Sequence, residues 1–216
     1  DTAAVPVDRT REGGKPSILD PSAEQRIIDY LTFHSEAVAD AILHFAHLCK
    51  QALAELGRRK ICGVYYGYHF KNLNRPTNYC NQGHFDQSRV LASPDVDFVA
   101  APYDYTGREL GTMYLSQLLA GSVRLHAKLY YCEDDTCTFL HPGGIFFYKC
   151  PDRRATIHVL RRNLMGVLRD GGTLWWMDLM CKGWYRDEEL MRAVAQMRRL
   201  AEQRLAECDR SPAAEV

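Results

Sequence analysis

Four short apolar runs, each followed by polar or aromatic residues, set the pattern of the chain. We predict strands over residues 61–68, 96–101, 129–132 and 173–177. The runs are nearly continuous in apolar residues rather than alternating, which is typical of strands in a sheet that is covered on both faces.

Helical periodicity fills the chain around these runs. Apolar residues recur every three or four positions up to residue 56, and Pro21 and Ser22 suit the first turn and the N-cap of this first helix. Further helices are predicted over 83–91, from Asp152 to about 168, and over about 187–208. A helix followed by repeated strand–helix units predicts an α/β fold with a parallel sheet.

The composition is that of a globular domain without a charged binding surface. The 216 residues include 27 basic and 27 acidic side chains, so a basic patch or tail for nucleic acid or membrane surfaces is not indicated. No apolar run approaches the ~18 residues of a membrane span. We expect residues 1–20 to be an irregular loop, 21–208 one domain, and 209–216 a frayed tail.

The eight cysteines include no C-x-x-C pair, which argues against a zinc site. We expect buried or incidental thiols, no metal and no cofactor. Free thiols favour a reducing compartment such as the cytoplasm, while export stays open because the chain begins at Asp1.

An acidic run at the end of the third predicted strand is the strongest candidate for chemistry. Glu133, Asp134, Asp135 and Thr136 follow directly on apolar and aromatic residues. Charges are costly to bury, but parallel-sheet enzymes place their reactive groups at the carboxyl ends of strands. Alternation predicts Glu133 and Asp135 on one side and Asp134 on the other. The alternatives are a solvated loop or helix cap with Asp135 and Thr136 as turn residues, or a divalent-metal site that also uses Asp104.

Motifs at the strand ends together resemble those of β-galactosidase-like glycoside hydrolases of the family 42 type, over about residues 21–200. In chain order they are Gly63-Val-Tyr-Tyr-Gly-Tyr68, Gln82-Gly-His84, Ser93-Pro-Asp-Val-Asp-Phe98, Pro102-Tyr103, Val123-Arg-Leu-His-Ala-Lys-Leu129, Glu133-Asp-Asp-Thr136, Leu174-Trp-Trp-Met-Asp178 and Gly183-Trp-Tyr185.

The resemblance implies a (β/α) barrel of TIM type, of which this chain holds the second half, strands 5 to 8. A complete barrel needs about 250 residues. It also implies a retaining glycosidase for β-galactosides or related β-linked sugars, with Glu133 in the position of the nucleophile. No Asn-Glu pair of the kind that carries the acid/base precedes the first predicted strand. We therefore expect the acid/base Glu upstream of this chain.

Aromatic residues near these strand ends are candidate contacts for a carbohydrate, because sugars present apolar C–H faces as well as hydroxyls. Trp176 and Trp184 flank Asp178 after the last strand. Tyr103 is expected to donate a hydrogen bond to the nucleophile. Trp175 is expected to turn into the helix layer.

Three other residues complete the predicted site. Tyr68 ends the first strand, and His84 lies in a segment expected to open a helix, so both are candidate substrate ligands. Asp135 is expected to support the site by binding backbone groups or Lys128, and the like charge of Asp134 and Asp135 is expected to raise the pKa of Glu133.

A second function remains open from sequence. The chain is alternatively a non-catalytic carbohydrate-binding or structural part of a barrel. In either case half a barrel leaves two open sheet edges, which predicts self-association into a homo-oligomer.

Overall fold

The computed structural model describes residues 19–69, 83–143, 148–179 and 181–207. The predicted N-terminal loop, apart from 19–20, and the predicted tail over 209–216 lie outside the described residues. The elements are α1 (Pro21–Glu55), β1 (Gly63–Tyr65), α2 (Gln87–Ala92), β2 (Phe98–Pro102), α3 (Ala120–Leu125), β3 (Leu129–Asp134), α4 (Arg153–Arg169), β4 (Thr173–Trp176) and α5 (Glu188–Glu207).

The four strands form one parallel sheet in the order β1-β2-β3-β4. The α/β class and the parallel sheet are therefore confirmed. The register places Glu133 on β3 between Pro102 on β2 and Trp175 on β4. Because the strands are parallel, their carboxyl ends lie along one edge of the sheet.

The first helix follows from its ends and its buried stripe. The side chain of Asp20 accepts a hydrogen bond from the backbone N–H of Ser22 at 2.9 Å, so Asp20 is the N-cap in place of the predicted Ser22. Leu31 and Ala39 are buried on the inner side of the helix. Past its end, Gly57 has φ +63°, a conformation that favours glycine and stops the helix.

The helices that pack on the sheet lie on one of its faces. Helices α1 to α4 share a core with one set of alternating strand residues, and α4 and α5 enclose Leu174 and Trp176 at the β4 end. The strand residues of this helix-covered face are Val64, Val99, Ala101, Tyr130, Cys132, Leu174 and Trp176. Asp134 belongs to the same face by alternation.

The opposite face, which we call the open face, carries aromatic side chains and one carboxylate. Its members are Tyr65, Phe98, Ala100, Leu129, Tyr131, Glu133 and Trp175, set side by side by the register. Tyr65 and Leu129 are about half exposed. The prediction that both faces are covered is wrong for the described residues. Aromatic residues made this face as apolar in sequence as the buried one.

Several boundaries differ from those predicted. Strand β1 spans three residues instead of 61–68, because the chain turns at Gly67, which has φ +85°. Helix α2 begins at Gln87, so the expected helix start at Gln82-Gly83-His84 is wrong for the described part of that segment. Helix α3 was not located, since six residues show too little periodicity.

Among the described helices, none has an apolar stretch of the length needed to cross a bilayer.

Candidate active site

The three consecutive carboxylates at the end of the third strand point to three different environments. Glu133 lies on the open face, and Asp134 lies on the helix-covered face with no exposed surface. Asp135 is also buried and is paired with Arg108 at 2.6 Å. The run is therefore a junction of strand, helix layer and loop. The solvated-turn interpretation is wrong, because all three residues are buried.

Glu133 is held at one oxygen. Its Oε2 accepts a hydrogen bond from the hydroxyl of Tyr65, and within the described ranges no group donates to Oε1. Burial raises the pKa of Glu133, the Tyr65 hydrogen bond lowers it, and Asp135 raises it. The expected direction is confirmed, but desolvation rather than like charge is the first cause. Burial and the bond to Glu133 raise the pKa of Tyr65, so its hydroxyl stays protonated at neutral pH.

Tyrosines from two other segments lie close to this carboxylate. Burial raises the pKa of Tyr68, and Tyr105 and Glu133 are the next causes. Burial, with Asp135 nearby, raises the pKa of Tyr105 to about 12. Both groups are therefore neutral hydroxyls at the carboxyl end of the sheet. Tyr68, a predicted site residue, thus lies within electrostatic range of Glu133.

His84 is held beside Tyr68. The two rings stack with centroids 4.8 Å apart, and Nδ1 of His84 accepts a hydrogen bond from the Gly67 N–H at 3.1 Å. With Nδ1 accepting, the neutral ring carries its proton on Nε2. A Cβ at Gly67 would lie 2.5 Å from the Gln87 side chain, so the turn that sets this pair requires glycine.

Each of the two tryptophans of β4 lies on the face of the sheet that was expected for the other. Trp175 lies on the open face beside Glu133, stacked on Tyr131 at 4.4 Å. Its ring also meets Tyr65 edge-on at 6.0 Å. Trp176 packs between α4 and α5 instead of forming a sugar platform. Alternation was correctly inferred, but the sequence did not show which set of residues belonged to the helix layer.

Asp178 and Trp184, both predicted to bind substrate, build a loop. Asp178 accepts hydrogen bonds from the backbone N–H groups of Lys182, Gly183 and Trp184 at 2.6–3.0 Å. Trp184 is fully buried, with its ring 4.4 Å from that of His141. The structure therefore does not present these two side chains to a substrate, because Asp178 binds loop N–H groups and Trp184 is buried.

Tyr103 does not contact Glu133. It is buried, and its hydroxyl shares a hydrogen bond with Oγ1 of Thr136 at 2.8 Å. The predicted bond from Tyr103 to the nucleophile is wrong. Tyr65 makes that bond instead, because its side chain and that of Glu133 lie on the same face.

The partner of Asp135 is Arg108, not Lys128. Nη2 of Arg108 donates to Oδ1 of Asp135, and the guanidinium lies 4.0 Å from the ring centroid of Tyr103 and 4.5 Å from that of Tyr105. Lys128 donates to the backbone carbonyl of Ser93 at 2.7 Å. No motif pointed to Arg108, which follows the second strand by six residues.

Asp134 is tied to the helix layer. It accepts hydrogen bonds from Thr136 and from Nδ2 of Asn163 on α4 at 3.1 Å. Burial raises its pKa to about 6, against the lowering effect of these bonds. With Asp134 and Asp135 engaged by protein groups, the carboxylates are poorly placed for a metal, and the described residues contain no cluster able to hold one.

Comparisons with protein-family models, with curated proteins and with solved structures give no match to this chain. The fold and site define the chain as an α/β protein with a parallel sheet. Its distinguishing feature is a carboxylate held by a tyrosine at the carboxyl edge of that sheet.

Proposed function

We propose that this chain is part of a retaining glycoside hydrolase for β-galactosides or related β-linked sugars, with Glu133 as the nucleophile. The observation that carries the proposal is the state of the Glu133 carboxylate. One oxygen is held by Tyr65, while Oε1 receives no hydrogen bond from the described residues. Glu133 is also the penultimate residue of β3, an inner strand of the sheet.

The chemistry requires this arrangement. Oε1 attacks the anomeric carbon and forms a C–O bond while the bond to the leaving oxygen breaks with its electron pair. An acid protonates that oxygen, and water later cleaves the glycosyl ester with the same group acting as base. Tyr65 holds Oε2 throughout and keeps the carboxylate oriented for attack.

The surroundings of Glu133 suit a sugar. Trp175 offers an indole next to the carboxylate, on the same face, for the C–H surface of a pyranose. Tyr68 and His84, stacked together, supply a hydroxyl and a ring nitrogen near the same edge. We propose these three residues as substrate contacts.

The fold supports the barrel-half interpretation. Four parallel strands with helices on one face are compatible with half of a (β/α)8 barrel, in which the open face would become the packed interior. A retaining enzyme needs a second carboxylate about 5–5.5 Å from the first. Asp134 faces the helices and Asp135 is paired. We therefore propose that the acid/base is supplied from outside this sequence.

Chemical rescue tests the proposal. The Glu133→Ala variant is incubated with 2,4-dinitrophenyl β-galactoside and azide, since this leaving group departs without protonation. We expect α-galactosyl azide, because azide replaces the nucleophile on its own face. Glu109→Ala removes an exposed carboxylate and is the control, expected to give no α-azide. A β-azide from Glu133→Ala would make Glu133 the acid/base instead.

One observation favours a second function, a non-catalytic carbohydrate-binding unit. Within the part of the chain that the structure describes, Asp134 and Asp135 are engaged by Asn163 and Arg108, so the acidic run offers Glu133 no second carboxylate for acid/base catalysis. If titration calorimetry detects galactoside binding that Trp175→Ala removes, while no azide product forms in this chain or in any longer protein that contains it, the binding function replaces the catalytic one.

A further inference from the structure

We propose that Arg108 is a positioning residue for Glu133: it clamps the segment after β2 to the segment after β3 through Asp135. The clamp would thereby fix both the place and the charge environment of the carboxylate. The role of Glu133 as a nucleophile rests on the proposed function above, whereas the clamp itself is a property of this chain.

The donors of Arg108 join two segments. Nε donates to the carbonyl of Asp104 at 3.1 Å, and Nη2 donates to the carbonyl of Tyr103 at 3.1 Å, both directly after β2. The same guanidinium donates to Asp135 after β3, from Nη2 to Oδ1 at 2.6 Å and from Nη1 to the carbonyl at 3.3 Å. One planar group therefore ties the ends of adjacent strands, a task that the single ammonium of a lysine does not reproduce.

The environment of the clamp makes it rigid. Arg108 and Asp135 are 1% and 2% exposed, and the guanidinium contacts the rings of Tyr103 and Tyr105. A buried pair with this many hydrogen bonds is costly to break, because removing one partner leaves an uncompensated charge. Tyr105 is also a neighbour of Glu133, so the ring that covers the guanidinium belongs to the site as well.

The clamp acts on Glu133 through a short segment. Asp135 is two residues after Glu133, and the connecting residue Asp134 is anchored to α4. The groups facing Glu133 are Tyr65 from β1, Tyr68 and Tyr105 from neighbouring loops, and the Asp135–Arg108 pair.

Within that pair the two charges act in opposite directions. Asp135 raises the pKa of Glu133 and Arg108 lowers it. Arg108 thus offsets the charge that the acidic run itself introduces.

A purely structural arginine is available for comparison. Arg162 on α4 donates through Nη1 to the carbonyl of Glu109 at 2.8 Å and to Oγ1 of Thr112 at 2.7 Å. Arg162 also donates to Oδ1 of Asn163 at 2.9–3.1 Å, and among the described residues it makes no bond to Asp135 or Glu133. Arg162 is not among the groups that shift the pKa of Glu133, so Arg162→Met removes a loop anchor with no direct effect on that carboxylate.

The test is a direct titration of Glu133. Protein labelled with ¹³C-carboxyl glutamate is followed by NMR across pH, with Glu133→Gln identifying the resonance. Asp135→Asn is expected to lower the pKa of Glu133, and Arg108→Met to raise it by about one unit. Arg108→Met/Asp135→Asn, which removes both charges, is expected to return it near the wild-type value. Arg162→Met is expected to leave it unchanged.

Asp135→Asn and Arg108→Met are expected to shift the pKa of Glu133 in opposite directions, so the titration can contradict the proposal. If Arg108→Met does not fold, Asp135→Asn and the double variant still report the effect of the pair. An unchanged Glu133 titration in all folded variants, or an equal shift in Arg162→Met, overturns the clamp. The titration does not depend on turnover, so a failed azide rescue with the expected shifts overturns the proposed function and not the clamp.

Discussion

The hydroxyl of Tyr65 on β1 donates to Oε2 of Glu133 on β3, reaching across the intervening strand β2 on the open face. The strand register explains the reach. Tyr65 lies beside Ala100, whose small side chain leaves room for the tyrosine ring above β2. Pro102, two residues further on, lies beside Glu133. Strand register thus brings into contact two residues that are 68 positions apart in the sequence.

Replacing Tyr65 by Phe removes the hydroxyl that donates a hydrogen bond to the carboxylate of Glu133. A hydrogen bond to a charged group contributes about 1.5–3 kcal/mol, so we expect the pKa of Glu133 to rise and its rate of attack on an activated galactoside to fall roughly tenfold or more. Carboxyl NMR and the rate of dinitrophenolate release measure the two effects.

Tyr131→Phe is the matched control for that change. Tyr131 lies on the same face and stacks on Trp175, and among the described residues it makes no hydrogen bond to Glu133. We expect its variant to keep the wild-type titration. Equal shifts in both variants would show that the hydroxyl of Tyr65 has no specific role.

Asp134 should make stability depend on pH. Its folded pKa of about 6 lies above its ordinary value, so the folded state binds the extra proton and stability falls as pH rises through about 4 to 6. The two-unit shift corresponds to about 2–3 kcal/mol. Burial lowers the pKa values of His69 and His141, which opposes this trend. The contribution of Asp134 is therefore measured as a difference.

Urea unfolding of the wild type and Asp134→Asn at pH 7, 6, 5 and 4 makes that measurement. We expect the stability of the variant relative to wild type to be highest at pH 7 and to decline toward pH 4. Loss of the Asn163 geometry lowers the variant by a constant amount at every pH. A relative stability that does not change with pH would contradict the assigned pKa.

Gly166 on α4 should not tolerate a methyl group. A Cβ there would lie 2.3 Å from the ring of Tyr114, which is buried. Overpacking of this kind costs about 1–3 kcal/mol, so Gly166→Ala should lower the urea midpoint despite alanine's better helix propensity. Gly121→Ala on α3 is the control, since nothing lies within 4 Å of its Cβ. A lowered midpoint in Gly121→Ala but not in Gly166→Ala would contradict the packing.

The open face should drive self-association when this chain is expressed by itself. Leu129 is 51% exposed on that face, at the start of β3. We expect light scattering to detect dimers or larger species, and Leu129→Lys to shift them toward monomer. Leu125→Lys changes a leucine that is 88% exposed on α3 and should have no such effect. A clean wild-type monomer would count against the barrel-half proposal.

Periodicity predicted the large elements, because their signal extends over several turns. The predicted first helix ends at residue 56 and α1 at Glu55, and α4 and α5 fall where apolar stripes indicated them. The parallel sheet followed from the alternation of strands and helices. Short elements depend on tertiary contacts. The bounds of β1 were therefore shifted, and α3 was missed.

The sequence predicted a site residue only where a single strand end carried the whole signal. Glu133 stood out because a carboxylate follows an apolar strand. Tyr65 and Trp175 join it through register between strands, and a single sequence does not specify which face a strand turns toward the helices. Arg108 pairs with Asp135 across 27 residues of loop and helix, a contact with no local pattern.

The most direct test of the central claim is covalent trapping on Glu133. The chain, and any longer protein that contains it, is incubated with 2,4-dinitrophenyl 2-deoxy-2-fluoro-β-galactoside, whose fluorine slows breakdown of the glycosyl-enzyme, and then mapped by peptide mass spectrometry. The account predicts an adduct on the peptide that contains Glu133 and its loss in Glu133→Gln. An adduct on another carboxylate, or none in either form, would contradict it.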